Sequence, residues 1–228
     1  MLAMSEYILI DTSTEHGLTM RIFQQGESFS IRVDSEDSEL MNNAFHYSED
    51  VLAELACEPI RDRKNAHVLV GGLGMGFTLA SALKHVNADA TVSVSELMAA
   101  VVRWNQLYLG KGAGYPMRDK RTRIINQDVG KVMREHKNTF DAIMLDVDNG
   151  PDGYTRDSND SLYGLAGLTE AYEALKSGGV LTIWSAAPDL AFTQRMMKVG
   201  FEVEQKLVKS HPEQTHGARH TIWIGTRY

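Results

Sequence analysis

The chain has 228 residues, 43% of them hydrophobic and 23% charged, which suits one α/β domain with a small appendage. Its formal charge of −7 argues against broad nucleic-acid binding, and no apolar stretch approaches the roughly 20 residues of a membrane span. The one cysteine, Cys57, excludes an internal disulfide and is expected to be a packed helix thiol. Because the first residues lack the features of a signal peptide, we expect a cytoplasmic protein without nucleic-acid or membrane partners.

The N-terminal residues 1–47 predict a small antiparallel β unit. Strands are expected at 7–10, 18–23 and 28–33, and polar and apolar residues alternate in the last of these. An acidic stretch at 34–39 is expected to be a solvated loop. From Ser48 to Ala56, apolar residues recur at helical spacing, with Ser48 as the candidate N-cap. The remaining residues, 48–228, are expected to form the main domain.

In the main domain, strand-like and helix-like segments alternate, which predicts a doubly wound, mostly parallel sheet. Strands are expected near 67–71, 90–95, 122–126, 141–146 and 179–185. Helices are expected near 76–86, 97–109, 128–137, 162–176 and 188–199. Two further strand-like runs follow Gly200 and predict a C-terminal antiparallel hairpin.

A glycine-rich turn follows the first strand of this domain. Residues 68–76 read Val-Leu-Val-Gly-Gly-Leu-Gly-Met-Gly, so backbone amides can approach a ligand at a helix N-terminus. A dinucleotide fingerprint starting at Gly72 would need glycine at position 77, where the chain has Phe77. The shorter spacing of Gly72, Gly74 and Gly76 is the one that S-adenosylmethionine (SAM) domains use, so it favours a SAM-type nucleoside over NAD.

Polar residues end four successive predicted strands, and in an open α/β sheet these ends meet at one edge. The first of these strands ends in the glycines and the second ends at Glu96. The third strand ends at residues 126–128, and the fourth ends at Asp146. Each of these residues also has a purely structural explanation. The glycines could serve only to form a tight turn, and Glu96 and Asp128 could each cap a helix. Asp128 could both cap a helix and face an adenine amino group. Asp146 precedes an open loop, so a site is favoured there.

These residues resemble the spermidine synthase (aminopropyltransferase) family, whose fold is the class I SAM-dependent methyltransferase fold. The resemblance extends over nearly the whole chain, is specific in the core, and is loose in the shorter N-terminal strand unit. It rests on the runs 41–49, 68–76, Glu96, 127–128, 141–151 and 178–181.

The resemblance implies a role for each matching residue. Glu96 would hold the ribose and Asp128 the adenine amino group. Asp146 would lie between the sulfonium cofactor and the attacking amine, with Asp148 or Asn149 fixing that amine. The amine pocket would be bordered by His46 and Tyr47.

Two departures from the family pattern affect the amine ends of both substrates. The family has an aspartate in the glycine loop where this chain has Met75, and an Asp-Ser-Ser-Asp-Pro loop where this chain has Asp-Val-Asp-Asn-Gly-Pro from Asp146. Aminopropyl transfer from decarboxylated SAM to an amine is therefore one hypothesis. Methyl transfer from SAM to a small molecule or protein is the second, and a non-catalytic nucleoside-binding module is the third.

On either enzymatic hypothesis the co-substrate is SAM or decarboxylated SAM, and no metal is required. The partner is a small-molecule amine, and whether the chain forms a homodimer is left open. The histidines show no metal-ligand spacing, so no metal site is expected from them. The three tryptophans, Trp104, Trp184 and Trp223, are expected to pack in the protein interior rather than stack on a ligand.

Overall fold

The computed structural model describes residues 6–33, 38–147, 162–211 and 219–228. Its N-terminal sheet has the antiparallel order β1-β2-β3-β4. The strands are β1 (Ile8–Glu15), β2 (Leu18–Gln25), β3 (Ser28–Val33) and β4 (Glu39–Asn42). The three predicted strands are confirmed. Glu39 was expected in a loop and instead begins β4, where its carboxylate accepts hydrogen bonds from Ser30 Oγ (2.6 Å) and Asn42 Nδ2 (2.7 Å).

Helix α1 (Tyr47–Cys57) follows this sheet and confirms the predicted helix. The interpretation of Ser48 as its N-cap is wrong. The N-cap position lies two residues earlier, at His46, and the Ser48 hydroxyl donates to the Glu49 carboxylate at 2.6 Å. The division of the chain at 47/48 stays a prediction.

The main sheet has seven strands within the described residues, in the order β10-β11-β9-β8-β5-β6-β7. They are β5 (His67–Gly71), β6 (Thr91–Ser95), β7 (Thr122–Ile125), β8 (Phe140–Leu145), β9 (Leu175–Ser185), β10 (Glu202–Lys209) and β11 (Arg219–Arg227). Strands β5 to β9 pair in parallel, and β11 and β10 add the predicted antiparallel hairpin. The predicted sheet is therefore confirmed.

The connecting helices are α2 (Phe77–His85), α3 (Ala99–Trp104), α4 (Val129–Glu135), α5 (Leu165–Ala174) and α6 (Leu190–Val199). A departure in helix type follows α3, where a single helix over 97–109 was expected. The segment Asn105–Leu109 continues α3 as a π-helix.

Both faces of the sheet are covered, which explains the continuous apolar runs in the parallel strands. Along β5, Val68 and Val70 pack into one buried cluster and Leu69 into the other. The first cluster also includes Met20 and Ile22 of β2, so the N-terminal sheet shares a core with the main domain. The candidate site lies where these two parts meet.

Cys57 is fully buried at the end of α1, and burial raises the pKa of its thiol to about 12, as expected of a packed thiol rather than a nucleophile. None of the helices in the described ranges is both long and apolar enough to cross a membrane.

Candidate active site

The candidate site lies at the carboxyl ends of β5, β6, β7 and β8. The neighbours of β5 are β6 on one side and β8 on the other, so the connections leave β5 in opposite directions and open a crevice there. A cavity of about 140 Å³, here called the first cavity, occupies this crevice. The predicted residues that line it are Gly72, Gly74, Glu96, Asp128 and Asp146, and the N-terminal sheet adds Leu18, Met20, Leu40 and Met41.

The glycine loop has one position where a side chain cannot fit. Gly72 has φ +91°, and a Cβ there would overlap the backbone carbonyl oxygen of Asp146. Gly74 has φ +49° but a Cβ there would meet only Met41 Sδ, at 3.7 Å. Gly76 is the N-cap of α2 and does not line the first cavity, so its role in this structure is to form the turn into the helix.

Glu96 is 8% exposed and is bonded directly to the glycine loop. Its Oε2 accepts from the amide of Leu73 at 2.9 Å, and its Oε1 accepts from the amide of Met98 at 2.8 Å. Burial raises the pKa of this carboxyl, and the surrounding backbone amides partly offset the rise. Glu96 also lines the first cavity, where a carboxylate is an acceptor for ligand hydroxyls.

Asp128 has the structural role that the sequence allowed. Its Oδ1 accepts a hydrogen bond from the amide of Lys131 at 2.8 Å and so caps α4. It also lines the first cavity, and the cap bond uses only one of its two carboxylate oxygens. Its contact with an adenine amino group stays a prediction.

Asp146 ends β8 and lines both the first cavity and a neighbouring one. The Thr78 hydroxyl, in the first turn of α2, donates to Asp146 Oδ2 at 2.5 Å. Burial, reinforced by the negative charge of Glu49, raises the pKa of Asp146 to about 7. A carboxylate with a pKa near neutrality can exchange a proton under physiological conditions. Asp148 and Asn149 lie outside the described residues.

The neighbouring cavity, here called the second cavity, is also about 140 Å³ and shares Gly74, Leu40, Met41 and Asp146 with the first. Its remaining lining residues are Asn42, Glu49, Leu73, Met75, Phe77, Thr78 and Trp184. Among the described residues, two acids and no lysine, arginine or histidine line it, so this lining favours a cation.

Glu49 was not expected at the site from the sequence. It lies in the first turn of α1, and it lines the second cavity. Burial raises the pKa of its carboxyl. A signal was available, because Glu49 is the last residue of the 41–49 run on which the family resemblance rests.

The two residues expected at the border of the amine pocket do not line either cavity. His46 Nδ1 lies 2.8 Å from Asp50 Oδ2, and its ring stacks on Phe77 with centroids 4.1 Å apart. Since Phe77 lines the second cavity, His46 lies one layer behind it. Tyr47 is 36% exposed. Substrate contact by His46 and Tyr47 stays a prediction.

The tryptophans divide into two buried residues and one cavity residue. Trp104 and Trp223 are fully buried, and each indole N–H has an acceptor, Asp11 Oδ2 (2.8 Å) and Thr193 Oγ1 (2.9 Å) respectively. Trp184 lies beside His220, with ring centroids 4.7 Å apart, and lines the second cavity. Within the described ranges, its indole N–H has no hydrogen-bond acceptor. In the same ranges, no group of three metal-ligating acids, histidines or cysteines occurs.

Comparison with protein families identifies the domain. A family model described as the spermine/spermidine synthase domain matches residues 44–211. A polyamine aminopropyltransferase of Saccharolobus islandicus is 30% identical over 144 residues, which cover 60% of this chain and 45% of that protein. A polyamine aminopropyltransferase of Thermoanaerobacter sp. (strain X514) is 30% identical over 137 residues, which cover 57% of this chain and 45% of that protein. The chain thus spans less than half the length of these curated relatives in the matched region.

Solved structures give the same fold. A spermidine synthase from Thermotoga maritima superposes with a TM-score of 0.76 at 19% identity, covering 96% of this chain and 73% of that one. A spermidine synthase in complex with the transition state analogue AdoDATO has a TM-score of 0.74 at 18% identity, covering 96% of this chain and 72% of that one. The predicted class I methyltransferase-like fold is thereby confirmed.

Proposed function

The chain belongs to the spermine/spermidine synthase family, and from this premise we propose that it transfers an aminopropyl group from decarboxylated SAM to a small amine. One observation carries the proposal most directly. Asp146, a carboxylate whose pKa is raised to about 7, lies where the cavity lined by the glycine loop, Glu96 and Asp128 meets a cavity lined by Glu49. A sulfonium nucleoside in the first cavity and an amine in the second would therefore meet at this residue.

The co-substrate fits the first cavity in the following way. The backbone at Gly72 and Gly74 admits close approach of the sulfonium end. Glu96, already fixed by two amides, accepts hydrogen bonds from the ribose hydroxyls, and the second oxygen of Asp128 accepts one from the adenine amino group. The apolar side chains of Leu18 and Met20 cover the nucleoside from the N-terminal side.

The amine acceptor fits the second cavity because the charges there are complementary. Glu49 and Asp146 both face this space, and a cation between them relieves their mutual repulsion. An alkylamine with a pKa of about 10.4 must lose a proton to react, which at pH 7 costs roughly 4–5 kcal/mol. In-line positioning can offset up to about 7–11 kcal/mol, and a carboxylate base typically contributes about 10²–10⁴-fold, so positioning dominates.

The transfer step balances without a metal or an oxidant. The amine nitrogen attacks the propyl carbon bonded to the sulfonium sulfur, and the carbon–sulfur bond breaks with its electron pair going to sulfur. The products are the aminopropylated amine and methylthioadenosine. Asp146 accepts the proton released from the amine nitrogen, directly or through water, and Thr78 keeps its carboxylate in place with one hydrogen bond.

The test compares Asp146→Asn with the wild type in steady-state turnover of decarboxylated SAM and a panel of amines. We expect kcat to fall about 10²–10⁴-fold, because Asn keeps the volume but cannot accept the proton. Methylthioadenosine affinity should change little, since the nucleoside contacts are retained. An Asp146→Asn variant with wild-type turnover would contradict the role proposed for Asp146.

One observation favours a second function, methyl transfer from SAM. Met75 lines the second cavity at the loop position where the family pattern has an aspartate for the cofactor amine, so that amine would lack a counter-charge. A Met75→Asp variant distinguishes the two functions. The variant should bind decarboxylated SAM more tightly if the aminopropyl chain lies beside residue 75. Its turnover with SAM should not increase.

A further inference from the structure

The tip of the β1–β2 hairpin is bonded to the start of α3 through one carboxylate. Glu15 Oε2 accepts a hydrogen bond from the amide of Ala99 at 2.7 Å, and Glu15 Oε1 accepts one from the amide of Ala100 at 2.9 Å. The Ser13 hydroxyl donates to the same Oε1 at 3.0 Å and orients the side chain. Glu15 therefore joins the N-terminal sheet to a helix that is 84 residues away in sequence.

These contacts replace a cap that the local sequence lacks. Met98 is the N-cap residue of α3 and makes no side-chain cap bond, and the first amides of a helix have no partner within the helix. Glu15 supplies acceptors to two of them, with the negative charge that a helix N-terminus favours. Asp11 makes a second contact further along α3, where its Oδ2 accepts from Trp104 Nε1 at 2.8 Å.

The residues on either side of this contact line the first cavity. Leu18 lies three residues after Glu15, across a tight turn in which His16 and Gly17 both have positive φ. On the helix side, Leu97 and Met98 immediately precede Ala99. The Glu15 contact therefore joins two segments that both line the first cavity.

We propose that Glu15 is a positioning residue that holds the hairpin tip against α3 and thereby sets how long a nucleoside stays bound. Lifting the tip removes Leu18 from the wall of the first cavity, and this requires both amide contacts of Glu15 to break. The inference rests on the proposed function in one respect, that the first cavity binds the nucleoside.

The experiment measures the dissociation rate of methylthioadenosine by stopped-flow fluorescence. For Glu15→Ala we expect dissociation to be about tenfold faster, as the loss of a charged cap on two amides implies. Glu15→Gln should fall between, because its amide oxygen can still accept one bond. The matched control is Glu27→Ala, which removes another N-terminal-sheet carboxylate, paired with Lys111 Nζ at 3.1 Å, that lines neither cavity. Its dissociation rate should be unchanged.

A merely structural role would lower the melting temperature of Glu15→Ala and leave nucleoside dissociation from the folded protein unchanged, and that result would overturn the inference. If Glu15→Ala does not fold, Glu15→Gln carries the test. A wild-type protein that binds no methylthioadenosine would overturn the proposed function instead. In that case, amide hydrogen exchange tests the role of Glu15 separately. Equal exchange rates of the amides at 18–20 and 97–101 in wild type and Glu15→Gln would exclude the positioning role.

Discussion

The raised pKa of Asp146 predicts that this residue destabilises the folded protein as the pH rises. Its pKa is about 7 in the folded chain against an ordinary value of 3.8. Between these values the unfolded state has lost the proton while the folded state retains it, so folding stability must fall with increasing pH in this window. Asp146→Asn removes the titration and keeps the acceptor for the Thr78 hydroxyl.

The size of the effect follows from the same window. Each pH unit of differential protonation corresponds to about 1.36 kcal/mol, so the interval from pH 5 to pH 7 costs the wild type about 3 kcal/mol through Asp146. Above pH 7 both states are ionised and the loss stops growing. The stability of Asp146→Asn relative to wild type should therefore be about 3 kcal/mol more favourable at pH 8 than at pH 5.

The measurement is urea unfolding of wild type and variant at pH 5, 6.5 and 8, followed by circular dichroism. Asp141→Asn is the matched control. Hydrogen bonds from the His67 amide, Lys176 and Arg63 outweigh the effect of burial and lower the pKa of Asp141, so it is ionised throughout this range. Its replacement should cost about 1–3 kcal/mol equally at pH 5 and pH 8. A stability difference for Asp146→Asn that does not change with pH would refute the reasoning.

Three further outcomes are expected. Glu96→Gln should weaken methylthioadenosine binding by about 1.5–3 kcal/mol in calorimetry, because a charged acceptor is lost, and unchanged affinity would remove the ribose assignment. Gly72→Ala should abolish nucleoside binding or folding, whereas Gly74→Ala should be milder, since only the Cβ at Gly72 overlaps backbone; equal effects in a binding assay would contradict this. Glu49→Gln should move the acidic limb of the kcat/KM profile of aminopropyl transfer to lower pH, because a like charge beside Asp146 is removed; an unmoved limb would show that Glu49 does not act on Asp146.

Much of the main domain could be predicted because its signals are local. The apolar run at 68–71 ends in glycine and gave β5 with its observed bounds, and the alternation after Gly200 gave the closing hairpin. The π-helix at Asn105–Leu109 could not be read from the sequence, since helical periodicity does not distinguish it from an α-helical continuation.

The candidate site divides in the same way. Glu96, Asp128 and Asp146 were predicted because each follows its own strand at one sheet edge. Glu49 and Trp184 reach the second cavity from α1 and β9, and their convergence depends on how that helix packs on the sheet. The Glu15 contact with Ala99 and Ala100 likewise joins segments far apart in sequence, which no local pattern encodes.

The most direct test of the central claim is product analysis with both possible co-substrates. The protein is incubated with a panel of diamines, polyamines and small amines, together with either decarboxylated SAM or SAM, and the products are identified by mass spectrometry. Aminopropyl transfer predicts an aminopropylated amine and an equal amount of methylthioadenosine from decarboxylated SAM, with no product from SAM. A methylated acceptor formed from SAM, with no product from decarboxylated SAM, would contradict it.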